Sequence, residues 1–162
     1  MMELRLPTLE QLRTVYDADL LKAFPAAELK PLRNMEELWE VDRYRPWCLF
    51  DGDEIVGECF LWLGHPGWAL LDYLCVSSRQ RNAGLGAAIL RKLQEVEPDT
   101  VIFGESEAPE DADDPAMAER RLGRRVSQYS MNVSFQKDRI FFSIANLAQK
   151  NNAAGKSLRH CG

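Results

Sequence analysis

The sequence predicts a single α/β (α+β) domain in which helices flank a mixed β-sheet. Three observations lead there. Between residues 47 and 76 the apolar pattern has a period of two and is interrupted by Asp51-Gly52-Asp53 and Gly64-His65-Pro66-Gly67, the mark of a β-meander. The stretch 68–103 then reads strand, Gly-containing loop, helix, strand, a unit whose two strands should lie parallel. The chain has 162 residues, 46% apolar and 28% charged, which is the size and composition of one globular domain.

Taken in order, Glu3-Leu4-Arg5-Leu6 alternates like a strand and stops at Pro7. Thr8 with Gln11 three residues later is a capping box, and Leu9, Leu12, Val15, Tyr16, Leu20 and Leu21 recur at helical spacing up to Pro25. Pro31 opens a second short helix through Leu32, Met35, Leu38 and Trp39. The meander follows as Trp47–Phe50, Glu54–Leu63 and Trp68–Val76. A helix from about Gly84 places Leu85, Ile89, Leu90 and Leu93 on one face and ends before Pro98. Thr100–Phe103 is a short apolar run suited to a buried strand, and a further helix is expected from Pro115 to about Tyr129. Val133–Phe135 and Arg139–Ile144 are the remaining strand candidates. The domain is therefore expected over residues 1–144, with 145–162 a mobile polar tail.

The net charge of −5 conceals a division: residues 1–119 carry 11 Lys/Arg against 24 Asp/Glu, and residues 120–162 carry 9 against 1. An acidic bulk disfavours sequence-independent nucleic-acid binding and suits a cationic substrate. Cys48, Cys59, Cys75 and Cys161 are far apart with no C-x-x-C pair, so neither a disulfide framework nor a thiolate metal site is expected. No apolar run approaches the ~18 residues of a membrane span. Met1-Met2-Glu3-Leu4-Arg5 lacks the order of a signal peptide, so the expected location is the cytoplasm, away from membranes. The oligomeric state is open, a homodimer included. Trp47, Trp62 and Trp68 are expected in the core, and His65 and His160 at the surface.

The segment that carries chemistry is Leu74-Cys75-Val76-Ser77-Ser78-Arg79-Gln80-Arg81-Asn82-Ala83-Gly84-Leu85-Gly86. It places R-x-x-G-x-G between a strand and a helix. Glycines there let a backbone approach a ligand closely, and the free N–H groups of the helix start form an anion cradle fit for a pyrophosphate. A dinucleotide fingerprint is disfavoured because Ile89 stands where its third glycine belongs, and Lys150 stands where a Walker loop ahead of Gly155-Lys156-Ser157 needs its first.

With the meander before it, the strand ending L-x-V and the Q-R-x-x-G-x-G loop resemble the acetyl-CoA motif of the GNAT N-acetyltransferase superfamily. The resemblance implies that the amides of Arg81, Asn82, Ala83, Gly84, Leu85 and Gly86 bind the pyrophosphate of acetyl-CoA. It also implies that Leu74, Cys75 and Val76 hydrogen-bond the pantetheine arm and the thioester carbonyl. The reaction implied is acetyl transfer to a primary amine by direct attack, with a small cationic amine favoured by the acidic charge. Family members carry a tyrosine in an F-Y-x-x-x-G-F context that protonates the leaving thiolate. Tyr129 matches it, while Gln128, Val133 and Ser134 depart from its flanks. Those departures keep a second reading open, a non-catalytic acyl-CoA-binding or regulatory module. A phenol suits the acid role because its ordinary pKa, about 10, leaves it protonated at neutral pH.

The proton of the attacking amine needs an acceptor, and the carboxylates on or beside strands are candidates. Glu105 stands at the exit of a strand whose carboxyl end is the usual ligand side of an open sheet. Asp72 would share a face with Leu70, Leu74 and Val76, and Glu58 with Val56, Phe60 and Trp62. The order of preference is Glu105, Asp72, Glu58, with water-mediated deprotonation as the alternative. Glu105 and Glu107 could equally hold a cationic acceptor.

Overall fold

The computed structural model describes residues 1–80, 84–107, 131–136 and 139–144, with side chains as far as Glu105. The helix expected over 115–129 and the stretch 145–162 lie outside the described residues. Among the described residues seven strands form one sheet in the order β1-β2-β3-β4-β5-β7-β6: β1 (Met2–Arg5), β2 (Tyr44–Asp51), β3 (Glu54–His65), β4 (Trp68–Val76), β5 (Val101–Glu107), β6 (Met131–Gln136) and β7 (Arg139–Ile144). All neighbours pair antiparallel except β4 and β5, which are parallel as the strand–loop–helix–strand pattern predicts.

The first helix opens on the expected capping box. Thr8 Oγ1 accepts from Gln11 N at 3.2 Å, and Gln11 Oε1 accepts from Thr8 N at 2.8 Å, which starts α1 (Leu9–Val15). The chain then widens into a π-helical turn at Tyr16–Leu20 before the single turn of α2 (Leu21–Ala23). Continuous helical spacing gave no sign of that turn. Helix α3 (Leu32–Glu40) follows Pro31, and α4 (Leu85–Val96) follows Gly84.

Strand β2 begins three residues before its expected start and includes Pro46. Strand β1 pairs only with Cys48–Asp51, so on that side β2 is an edge at Pro46, where a missing N–H costs nothing.

Two cores lie on opposite faces of the sheet. On one, Leu85, Ile89, Leu90 and Leu93 of α4 pack on Leu49, Val56, Cys59, Leu61 and Ile102. At about 1.5–3 kcal/mol for each side chain removed from water, those four residues account for much of the helix's attachment. On the other face, Leu12, Val15, Leu20 and Met35 cover Tyr44, Phe50, Phe60 and Tyr73. Gly57 makes the first contact possible: a Cβ there would stand 2.7 Å from Ile89 Cδ1 and 3.1 Å from the Cys75 carbonyl oxygen.

Two bulges correct the expected faces. Register runs Leu49↔Gly57 then Phe50↔Ile55, leaving Val56 as an extra residue, and Phe60↔Tyr73 then Leu61↔Leu71, leaving Asp72 as another. Val56 therefore turns to the α4 core rather than sharing a face with Glu58 and Phe60, and Asp72 leaves the row of Leu74 and Val76. The aromatic expectation is corrected as well. Trp62 and Trp68 are 41% and 54% exposed, and Trp68 stacks on Phe103 at 4.8 Å. They border an open apolar groove of about 380 Å³ with Gly64, His65, Ala69 and Leu70. No helix among the described residues is long and apolar enough to cross a membrane.

Candidate functional site

The parallel pair β4 and β5 is joined by only three register pairs, Trp68↔Val101, Ala69↔Ile102 and Leu70↔Phe103. Beyond them the ladder ends, while β4 continues six residues to Val76 and β5 four to Glu107. Asp72 and Glu105 each stand two residues past the last pair, one on either side of this parting. The three residues expected to hold a ligand arm, Leu74, Cys75 and Val76, form the end of β4 just beyond. Leu74 and Val76 anchor against the α4 core, and Cys75 is buried.

The chain next makes a short 3₁₀ turn at Ser78–Gln80 and reaches α4 through Gly84. Gly84 has φ +70°, the left-handed conformation that L side chains rarely adopt, which explains the glycine at the start of the helix. Among the described residues a Cβ built on Gly84 or Gly86 meets nothing within 4 Å, so none of them covers the first turn of α4 there. A 12-residue helix presenting its first N–H groups there suits a phosphate. Leu85 is 6% exposed with its side chain in the core, so it has only its backbone to offer a ligand. Arg81, Asn82, Ala83 and Tyr129 lie outside the described residues.

The first two acid candidates differ in their surroundings. Glu105 is exposed and registers against Phe141 of β7. Asp72 is largely enclosed, its Oδ2 accepting from Tyr44 Oη at 2.7 Å and from Lys30 Nζ at 2.6 Å. Burial, with the Asp72 charge beside it, pushes the Tyr44 hydroxyl far above the usual tyrosine range, so it stays a donor. The same cluster fixes the segment between α2 and α3. Tyr73 Oη donates to the Glu28 carbonyl at 2.9 Å and accepts from Lys30 N at 2.7 Å, and Tyr16 Oη donates to the Lys30 carbonyl at 3.1 Å.

Glu58, third in the sequence ranking, is the chemical anomaly of the sheet. It is 0% exposed on the central strand β3, in register with Cys48 on one side and Cys75 on the other. Neither carboxyl oxygen has a hydrogen-bond partner among the described residues. Burial first, then the charge of Asp19 from the π turn, raises its pKa to about 8, with the Cys75 thiol acting the other way. Burial and the neighbouring Glu58 likewise raise the Cys48 thiol well above its ordinary value. The sequence signal was an acid in an apolar strand row; what placed Asp19 above it was the π turn. Glu97, the other buried acid, is by contrast fully engaged. It accepts from Arg45 Nη1 at 2.7 and 2.8 Å, Trp47 Nε1 at 3.0 Å and Thr100 Oγ1 at 3.1 Å, a structural clasp at the far end of α4.

Comparison with known proteins gives a consistent picture. The model of the Acetyltransferase (GNAT) family matches residues 9–105. Among solved structures, the ribosomal-protein-S18-alanine N-acetyltransferase from Escherichia coli is similar at TM-score 0.63 with 16% identity, over 89% of this chain and 93% of that one. An acetyltransferase from Thermus thermophilus gives 0.61 and 17%, over 88% and 96%. The aminoglycoside acetyltransferase AAC(6')-Ib, solved in complex with coenzyme A, gives 0.59 and 16%, over 95% and 99%. At these identities the likeness concerns the fold. No curated protein matches the chain by sequence.

Proposed function

The chain belongs to the acetyltransferase (GNAT) family, and from that premise we propose that it moves an acetyl group from acetyl-CoA to a primary amine, with small cationic amines favoured. The observation that carries the reading is the first turn of α4 behind left-handed Gly84, placed at the end where β4 and β5 part. The backbone of Gly84, Leu85 and Gly86, with Arg81, Asn82 and Ala83, would hold the pyrophosphate. Leu74, Cys75 and Val76 would hold the arm through the edge of β4 that β5 no longer covers. Acetyl-CoA supplies the activated thioester as cosubstrate. The chain's own residues supply orientation and proton handling. Asp72 and Glu105 flank the parting as candidate proton acceptors, and Tyr129 is the candidate donor to the leaving thiolate. The acidic balance of residues 1–119 supports a cationic acceptor.

Thermal unfolding with and without acetyl-CoA tests the binding half. A ligand at about a hundred times its Kd adds about 2.7 kcal/mol, or roughly 5–10 °C for a domain of this size. Gly86→Phe puts a side chain where a Cβ meets none of the described residues, so it should leave the unliganded Tm in place and remove the shift; an undiminished shift would place the cofactor elsewhere. Release of free thiol across a panel of amines tests turnover and separates an enzyme from a non-catalytic acyl-CoA-binding module, which would show the shift without release.

A further inference from the structure

Lysines are ordinarily mobile, yet Lys30 is fixed at three points. Its N–H donates to Tyr73 Oη at 2.7 Å, its carbonyl accepts from Tyr16 Oη at 3.1 Å, and its Nζ lies 2.6 Å from Asp72 Oδ2 and 5.3 Å from the centre of the Tyr44 ring. Its side chain is 25% exposed, and that of Asp72 15%. Among the described residues the only other lysines, Lys22 and Lys92, form no ion pair. The arrangement positions an amine with a proton acceptor in reach: Lys30 Nζ lies at hydrogen-bond distance from the Asp72 carboxylate, and a third group, the Tyr44 hydroxyl at 2.7 Å, holds that carboxylate in place. Asp72 is the extra residue of the β4 bulge, so its side chain is turned out of the strand's regular alternation. It lies two residues, roughly 7 Å, down the strand from Leu74. That is the deep end of the stretch assigned to the cofactor's arm, where an acyl group carried from the α4 end would arrive.

We infer that Lys30 is an acetyl acceptor within the chain itself, a self-modification site in which Asp72 takes the ammonium proton; this rests on the acetyl-CoA reading above. The Lys30 ammonium gives one proton to Asp72, and the neutral Nζ attacks the thioester carbonyl carbon. The C–N bond forms, the C–S bond breaks, and the sulfur leaves with its electron pair. The second amine proton passes to that thiolate and Asp72 releases the first to water, so the products are Nε-acetyl-Lys30, free CoA thiol and one proton. Acetyl-Lys30 is neutral, so Asp72 loses its cationic partner and keeps the Tyr44 hydroxyl. The product thereby differs from the starting protein at the parting of β4 and β5.

The test incubates the full chain with acetyl-CoA and follows acetylation of each lysine-containing peptide by mass spectrometry, with the acetyl-CoA thermal shift measured on the same sample. Lys30 should be acetylated roughly a hundredfold faster than Lys22 and Lys92, the contribution expected of a positioned base. The rate constant should not change on diluting the protein, as befits an intramolecular step. Asp72→Asn should bring Lys30 down to the rate of the reference lysines. Lys30→Arg keeps a cation for Asp72, should retain the thermal shift, and should remove the dominant acetylated site. A thermal shift accompanied by Lys30 acetylation no faster than Lys22 overturns self-modification and leaves the cofactor reading standing. Absence of any thermal shift overturns both.

Discussion

Glu58 shows how one side chain can set the pH response of the protein. A carboxyl held at about 8 inside the fold and near 4.5 when unfolded binds its proton more tightly in the native state across that interval. The native state therefore loses stability as pH rises from about 4.5 to 8, the reverse of a salt-bridged carboxylate, and the full loss is on the order of 3–5 kcal/mol. Glu58→Gln, neutral throughout, should flatten that slope and exceed the wild type in denaturant stability at pH 8. A variant with the wild-type slope would show that another group carries it. The groups facing Glu58 are Asp19, Cys48 and Cys75, and of these Asp19 is the one that disfavours its charge. Asp72 shows the opposite solution, a carboxylate held between the Lys30 ammonium and the Tyr44 hydroxyl, each at hydrogen-bond distance from the same oxygen.

Among the elements, α4 is held at both ends by different physics. Near its start Ile89 reaches into the space above Gly57, and at its end Glu97 receives Arg45, Trp47 and Thr100. Gly57→Ala should cost about 1–3 kcal/mol by overpacking, read as a lower denaturation midpoint with an unchanged m-value. Glu97→Ala leaves Arg45, 32% exposed, its second ion pair with Asp42 at 3.6 Å but removes the acceptor of Trp47 Nε1 and Thr100 Oγ1, and should cost about 1–3 kcal/mol, read as a lower denaturation midpoint. Most of these elements were legible in the sequence because each rests on a local rule. The Thr8–Gln11 capping box, the Gly52 and Gly67 turns at positive φ, and the 3.6-residue stripe of α4 involve residues only a few positions apart. The bulges at Val56 and Asp72 were not legible, because an extra residue is defined only against the partner strand. The π turn was hidden for a similar reason, since it inserts one residue into a pattern whose apolar positions still satisfy helical spacing up to Leu20 and Leu21.

For the molecule as a whole, the sheet places the proposed site at a parallel pair that joins for three residues and then parts, inside an otherwise antiparallel array. Residues 1–119 carry 11 Lys/Arg against 24 Asp/Glu, and Asp72 and Glu105 stand beside that opening. If the acceptor is a polycationic amine, its KM should rise steeply between low salt and physiological salt, as the Debye length shortens from about 30 to 8 Å, while that of an uncharged-chain monoamine moves little. Equal salt responses would remove long-range attraction from the account. The element order, the parallel unit, the glycine loop with its resemblance to an acetyl-CoA motif, and a short roster of acids all follow from the sequence alone, because each is written in neighbouring residues. Which acid is paired with a cation, which is buried beside another acid and which is exposed follows only from the folded chain. Asp72 meets Lys30 and Tyr44, and Glu58 meets Asp19, across separations of 28 to 42 residues. The charge state of a carboxyl depends on its distance from water and from other charges, and those distances exist only once the sheet and its covering helices have closed around it.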